Sequence, residues 1–163
     1  MFDFFFYGTL VDADVRRLVL GREVPDAAVH PAELAGFQRY AVQDQPYPAA
    51  VPRPGATIDG VIMPGASLSD AAKLTCFEGA DYEARLCRVT RSATGGRDQE
   101  AWVFVASDRV PRGAPRWSID DWRAQHKPAF FEIAAKWLSE ISDAHVSAAE
   151  ALWRQRSETP GAR

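Results

Sequence analysis

The chain has 163 residues, 47% of them hydrophobic and 25% charged, which is the composition of an ordinary globular domain long enough to bury a core without staples. Its formal net charge is -3, and its arginines are interleaved with acids instead of gathered into a stripe, which argues against a nucleic-acid surface. No apolar run approaches the roughly 18 residues of a membrane span, and Met1 leads into the first element with no basic region or cleavage site, so a cytoplasmic protein without membrane contact is expected.

The run Phe2-Asp3-Phe4-Phe5-Phe6-Tyr7 places five aromatics in six positions without alternation, which suits a central strand buried on both faces. Gly8 ends it at a sharp turn or a close backbone approach. Asp12 and Asp14 offer N-caps for a helix carrying Val15, Leu18 and Val19 and closed by Gly21. Strand, glycine turn and helix are common architecture. The same turn can also present successive N–H groups to a carboxylate or phosphate. The dinucleotide and P-loop glycine patterns are both missing from the sequence.

Glu23 to Pro31 reads as a polar connection, and Glu33 to Gln43 as a strand with a bulge at Gly36. The prolines at 46, 48, 52 and 54 exclude a central strand over Asp44 to Pro54 and leave an edge segment or loop. Thr57 to Met63 is rich in β-formers and is expected to stop at a Pro64-Gly65 turn. Ser67 or Ser69 caps a helix through Leu68, Ala71, Ala72 and Phe77 that ends at Gly79, which puts Glu78 in its last turn. Arg85 to Arg91 and Gln99 to Ala106 form a hairpin around Gly95-Gly96. In its second strand Ala101, Val103 and Val105 share one face, while Trp102 and Phe104 take the other.

Asp108 to Arg116 is a Pro/Gly loop. Ser118 then caps a long helix whose positions Ile119, Trp122, His126, Phe130, Ile133, Trp137 and Ile141 step by three and four. Pro128 is expected to kink or split it, and His126 reads as a histidine of the core or its edge. Val146, Ala149 and Trp153 continue a helical period. One domain is expected over 1–156, with a disordered polar tail at 157–163. Cys76 and Cys87, the only cysteines, read as reduced thiols, and His30, His126 and His145 lack metal-ligand spacing.

Phe77-Glu78-Gly79 is the second notable stretch. A carboxylate behind a core aromatic at a helix C-terminus is at the unfavourable end of the dipole, and apolar surroundings push the same way, so a raised pKa is expected wherever Glu78 does not simply face solvent.

Four motifs in order carry a resemblance. Tyr7-Gly8-Thr9-Leu10 follows the apolar strand; Tyr47-Pro48-Ala49 leads to Gly60-Val61-Ile62; Leu74 to Gly79 is followed by Tyr82; and Trp117 to Phe131 has spaced Trp and His. Together they resemble the γ-glutamylcyclotransferase-like family over about residues 2 to 140. The resemblance implies an α+β fold, a compact mixed β-barrel with surrounding helices. It implies cyclisation of a small-molecule γ-glutamyl substrate to 5-oxoproline with release of an amine or amino acid, and no cofactor. By the same resemblance the backbone of Tyr7, Gly8, Thr9 and Leu10 holds the glutamyl moiety, with Tyr82 beside it, and Glu78 is the catalytic acid/base. Two positions depart from the family pattern: Thr75 stands where Asp is common, and Ala84 takes the place of an Arg that here falls at Arg85. They bear on the amine side of the substrate. The alternatives are a non-catalytic binding member of the same fold and a structural domain whose aromatic helix at Trp117 to Trp137 engages a partner.

Overall fold

The computed structural model describes residues 1–92 and 95–158. Its elements, in chain order, are β1 (Phe2–Phe6), α1 (Ala13–Leu20), β2 (His30–Ala41), β3 (Pro48–Ala66), α2 (Leu68–Glu78), β4 (Tyr82–Arg91), β5 (Arg97–Ala106), α3 (Ile119–Gln125), α4 (Lys127–Ser139) and α5 (Asp143–Glu158). The strands close into a barrel in the order β1-β3-β2-β4-β5. All neighbours are antiparallel except the closing pair β1–β5, where Phe4 lies opposite Trp102. The fold is thus the expected mixed α+β barrel.

Strand periodicity explains why β1 is apolar at nearly every position. Phe5 and Tyr7 point into the barrel with Leu34, Ile58, Ile62, Val89, Val103 and Val105. Phe2, Phe4 and Phe6 point outward, beneath the helices, with Val15, Leu74, Trp122, Phe130 and Trp153. One strand therefore serves two cores. The faces of β5 divide as expected, with Ala101, Val103 and Val105 inside and Phe104 under the helices.

Several expectations are refined by the pairing. Gly36 marks a bulge, but the larger irregularity is opposite it: Ala35 pairs with Thr57 and Phe37 with Pro52, so β3 takes five steps where β2 takes two, swinging out around Gly55 at φ 82°. The Pro48–Pro52 stretch is not a loop; it is extended and pairs with β2. Pro64-Gly65 is not a strand-ending turn either. It is a bulge between the Phe2–Ala66 and Phe4–Met63 pairs, with Gly65 N–H donating to Asp3 Oδ1 at 2.9 Å, and β3 runs on to Ala66. β4 starts at Tyr82, three residues before the expected Arg85. The expected hairpin glycines have φ 70° and 78°; residues 93–94 of that turn lie outside the described residues.

The long C-terminal helix is split, as Pro128 requires: α3 ends and α4 begins at His126. His126 is consequently not a core or edge histidine. It sits exposed at the junction, because the helix break turns its side chain out of the Trp122–Phe130 stripe. Ser157 and Glu158 belong to α5, and 159–163 lie outside the described residues. Cys76 and Cys87 are free, half-buried thiols. No helix among the described residues is long and apolar enough to cross a membrane.

Candidate active site

Three segments meet at one end of the barrel. The first is the turn after β1. Gly8 precedes a single 3-10 turn, Thr9–Val11, whose carbonyls at Gly8 and Thr9 accept from the N–H groups of Val11 and Asp12, both at 3.0 Å. The first N–H groups of such a turn have no acceptor within it, so they are free to meet a ligand. Space at position 8 is tight: a Cβ there would stand 3.0 Å from Pro48 Cγ. Asp12 ends the turn and caps α1, accepting from the N–H groups of Asp14 and Val15. Its other oxygen accepts from Arg123 Nε at 2.8 Å and Lys127 Nζ at 3.0 Å, which fastens the turn to α3 and α4. Burial alone would raise the Asp12 pKa, but these two cations outweigh it and hold it below the usual carboxylate range.

The second segment is the C-terminus of α2. Ser67 and Asp70 form a reciprocal capping box at its start, and Arg22 pins Asp70 in a two-pronged ion pair with its shorter contact at 2.8 Å. At the other end Gly79, at φ 74°, stops the helix, and Trp137 Nε1 donates to the Phe77 carbonyl at 3.3 Å. Glu78 is therefore held at a defined place by a helix fixed at both ends. Desolvation pushes its carboxyl up to about 8 from an ordinary value of 4.5.

The third segment is the aromatic lining. Tyr7 is buried; its hydroxyl donates to the Phe104 carbonyl at 2.6 Å and accepts from Ala50 N–H at 3.1 Å. Tyr82 donates to the Pro48 carbonyl at 3.1 Å. Burial raises both phenol pKa values, and the neighbouring Glu78 adds to the shift, so both remain neutral hydrogen-bonding groups at physiological pH. Tyr47 is raised by burial and then by Asp81 and Glu78.

These segments enclose a cavity of about 530 Å³. Tyr7, Gly8, Thr9, Leu10, Glu78 and Tyr82, the six residues singled out in the sequence, all line it. Thr75 and Ala84, the two departures from the family pattern, do not. Thr75 Oγ1 instead donates to the Ala71 carbonyl and accepts from Trp153 Nε1 at 2.8 Å, joining α2 to α5. Tyr47, of the Tyr47-Pro48-Ala49 motif, lines it as well, and the lining residues not singled out as site residues in the sequence include those of α4, Phe130, Ile133, Ala134 and Trp137. Their three-and-four spacing reads as a core stripe, and nothing in it signals that the stripe outlasts the core. Among the described residues no group of histidine, cysteine and acidic side chains could hold a metal ion.

The closed five-stranded barrel thus brings a glutamate of raised pKa and the turn after β1 to the lining of one cavity. The chain matches the family described as gamma-glutamyl cyclotransferase, AIG2-like, over residues 4–124, and it belongs to that family. It is 30% identical to Protein AIG2 C of Arabidopsis thaliana over 82% of this chain and 79% of that one, and 27% identical to AIG2-like protein D of the same plant, over 87% and 92%. An Arabidopsis thaliana protein solved in solution superposes with a TM-score of 0.60 at 26% identity, covering 84% of this chain and 81% of its own. An uncharacterized Homo sapiens protein superposes with a TM-score of 0.54 at 13% identity, covering 91% and 98%, and shares the fold.

Proposed function

We propose that the protein converts a γ-glutamyl amine or amino acid to 5-oxoproline and the free amine, with Glu78 as the single general acid/base. The observation that carries this reading is the placement of a desolvated carboxyl and the Gly8–Leu10 turn on one cavity. In the reaction the substrate's α-amino nitrogen attacks its own side-chain amide carbonyl. A five-membered ring closes, the amide C–N bond breaks, and the departing nitrogen takes up a proton.

Because the nucleophile belongs to the substrate, the protein has to hold a bent conformer and carry protons from the attacking to the leaving nitrogen. The amides of Gly8, Thr9 and Leu10 anchor the α-carboxylate through charge-assisted hydrogen bonds worth roughly 1.5–3 kcal/mol each. Glu78 accepts a proton of the α-ammonium and passes it to the leaving nitrogen, and the second proton that the attacking nitrogen sheds on becoming the lactam N–H follows by the same carboxylate to the departing amine, which leaves as its ammonium. For a carboxyl of ordinary pKa the first transfer is uphill by about 3.5 units, or roughly 5 kcal/mol, against an amine near 8. A carboxyl near 8 makes it almost level. Tyr7 and Tyr82, with their hydroxyls committed to backbone carbonyls, shape the pocket without competing for the proton. The reading is tested by following 5-oxoproline release from a panel of γ-glutamyl conjugates with the wild-type protein and Glu78→Gln.

A further inference from the structure

The turn after β1 and Glu78 line the cavity together with Phe130, Ile133, Ala134 and Trp137 of α4. Among the described residues lining it, Glu78 and Asp81 are the only members of the acidic and basic residue types, and both are acids. No lysine, arginine or histidine among the described residues lines it. Arg39 comes near, donating to the Tyr7 carbonyl at 2.9 Å, but it is engaged by Asp59 at 2.9 Å and does not line the cavity. The α4 side of the lining is apolar. Ile133 and Trp137 are 66% and 44% exposed, two of the few large hydrophobic side chains that the described surface leaves uncovered, and Phe77 and Phe130 line the same cavity in edge-to-face contact, 6.4 Å between centroids.

Given that the site is a cyclotransferase site, as proposed above, we infer that its substrates are γ-glutamyl amides whose amine part has an apolar or aromatic body and carries no carboxylate. A γ-glutamyl amino acid brings a second carboxylate. With the first one on the turn amides, the second is left without a cationic partner, on a lining whose ionisable groups are acids, and against hydrocarbon that replaces part of its hydration with nothing polar. An amine with an aromatic or branched body instead covers Ile133 and Trp137, as ligand pockets of this size do with a few polar groups and a mostly apolar lining.

The matched pair γ-glutamyl-phenethylamine and γ-glutamyl-phenylalanine differs by that carboxylate alone. Turnover to 5-oxoproline is measured with the wild-type protein and with Ile133→Arg, and binding of both compounds is measured by calorimetry in Glu78→Gln. The phenethylamide is expected to be favoured at least tenfold in kcat/KM and in affinity, and Ile133→Arg to shift the ratio at least tenfold toward the phenylalanine conjugate. Equal or inverted preference with good turnover would overturn the inference and leave the cyclase reading standing. Preferential binding of the phenethylamide with no 5-oxoproline from either compound would do the reverse. Neither binding nor turnover would overturn both.

Discussion

The guanidinium of Arg16 donates to the carbonyl of Leu10 at 3.0 Å, tying the candidate binding turn to the first helix from behind. The same side chain donates to Val11 O at 2.7 Å, Val24 O at 3.0 Å and Asp26 Oδ1 at 2.6 Å, and it is fully buried. Arg16→Met would leave three carbonyls without their donor. A loss of about 2–4 kcal/mol in stability by urea unfolding is expected. Asp26→Asn should cost under about 1 kcal/mol, because that carboxylate is 74% exposed and the three carbonyl bonds survive.

Gly8→Ala separates packing from function in the turn. The added Cβ would meet Pro48 Cγ at 3.0 Å, so the turn or the start of β3 must give by a few tenths of an ångström. A stability loss of about 1–2 kcal/mol is expected from such overpacking. The effect on kcat/KM should be larger, tenfold or more, if the neighbouring amides hold the substrate as proposed. Parallel thermal melts and turnover assays check the ratio of the two effects.

Much of this arrangement was legible in the sequence, and the reasons differ by residue. The strand-turn-helix at Phe2 to Leu20 is governed by local rules: alternate faces of β1 meet two cores, Asp12 caps, and Gly21 terminates in the left-handed region. The helix ending at Glu78 is equally local. The α4 side of the lining was not legible, since Ile133 and Trp137 repeat at core spacing and only the tertiary arrangement brings them to the cavity. Arg16 gives no sign of its burial, because its partners Leu10, Val11 and Val24 are backbone carbonyls, which any sequence supplies. The Pro64-Gly65 bulge has the composition of a turn, and only pairing with β1 across Asp3 distinguishes the two.

Glu78 should make stability fall as pH rises. Its pKa is higher in the folded protein than in the unfolded chain, so between about 4.5 and 8 the native state binds the extra proton, and each unit of that interval weakens folding by up to about 1.4 kcal/mol. Glu78→Gln mimics the protonated form and removes the dependence. Its melting temperature should match wild type near pH 4.5 and exceed it by a growing margin toward pH 8; differential scanning calorimetry across that range is the check.

The pH dependence of the reaction follows from the same group. In the proposed reaction, productive binding needs one proton shared between Glu78 and the substrate amine, and both release it near 8. kcat/KM should therefore climb with rising pH up to about 8 and turn over above it, the apparent values belonging to the coupled pair. In Glu78→Gln whatever rate remains should no longer bend at the enzyme's limb.

The most direct test of the account is 5-oxoproline formation by wild type and Glu78→Gln on one γ-glutamyl amide, with far-UV circular dichroism confirming equal folding. A fall of about 10²–10⁴-fold is expected on removing the acid/base. Equal rates in the two proteins would contradict the role assigned to Glu78.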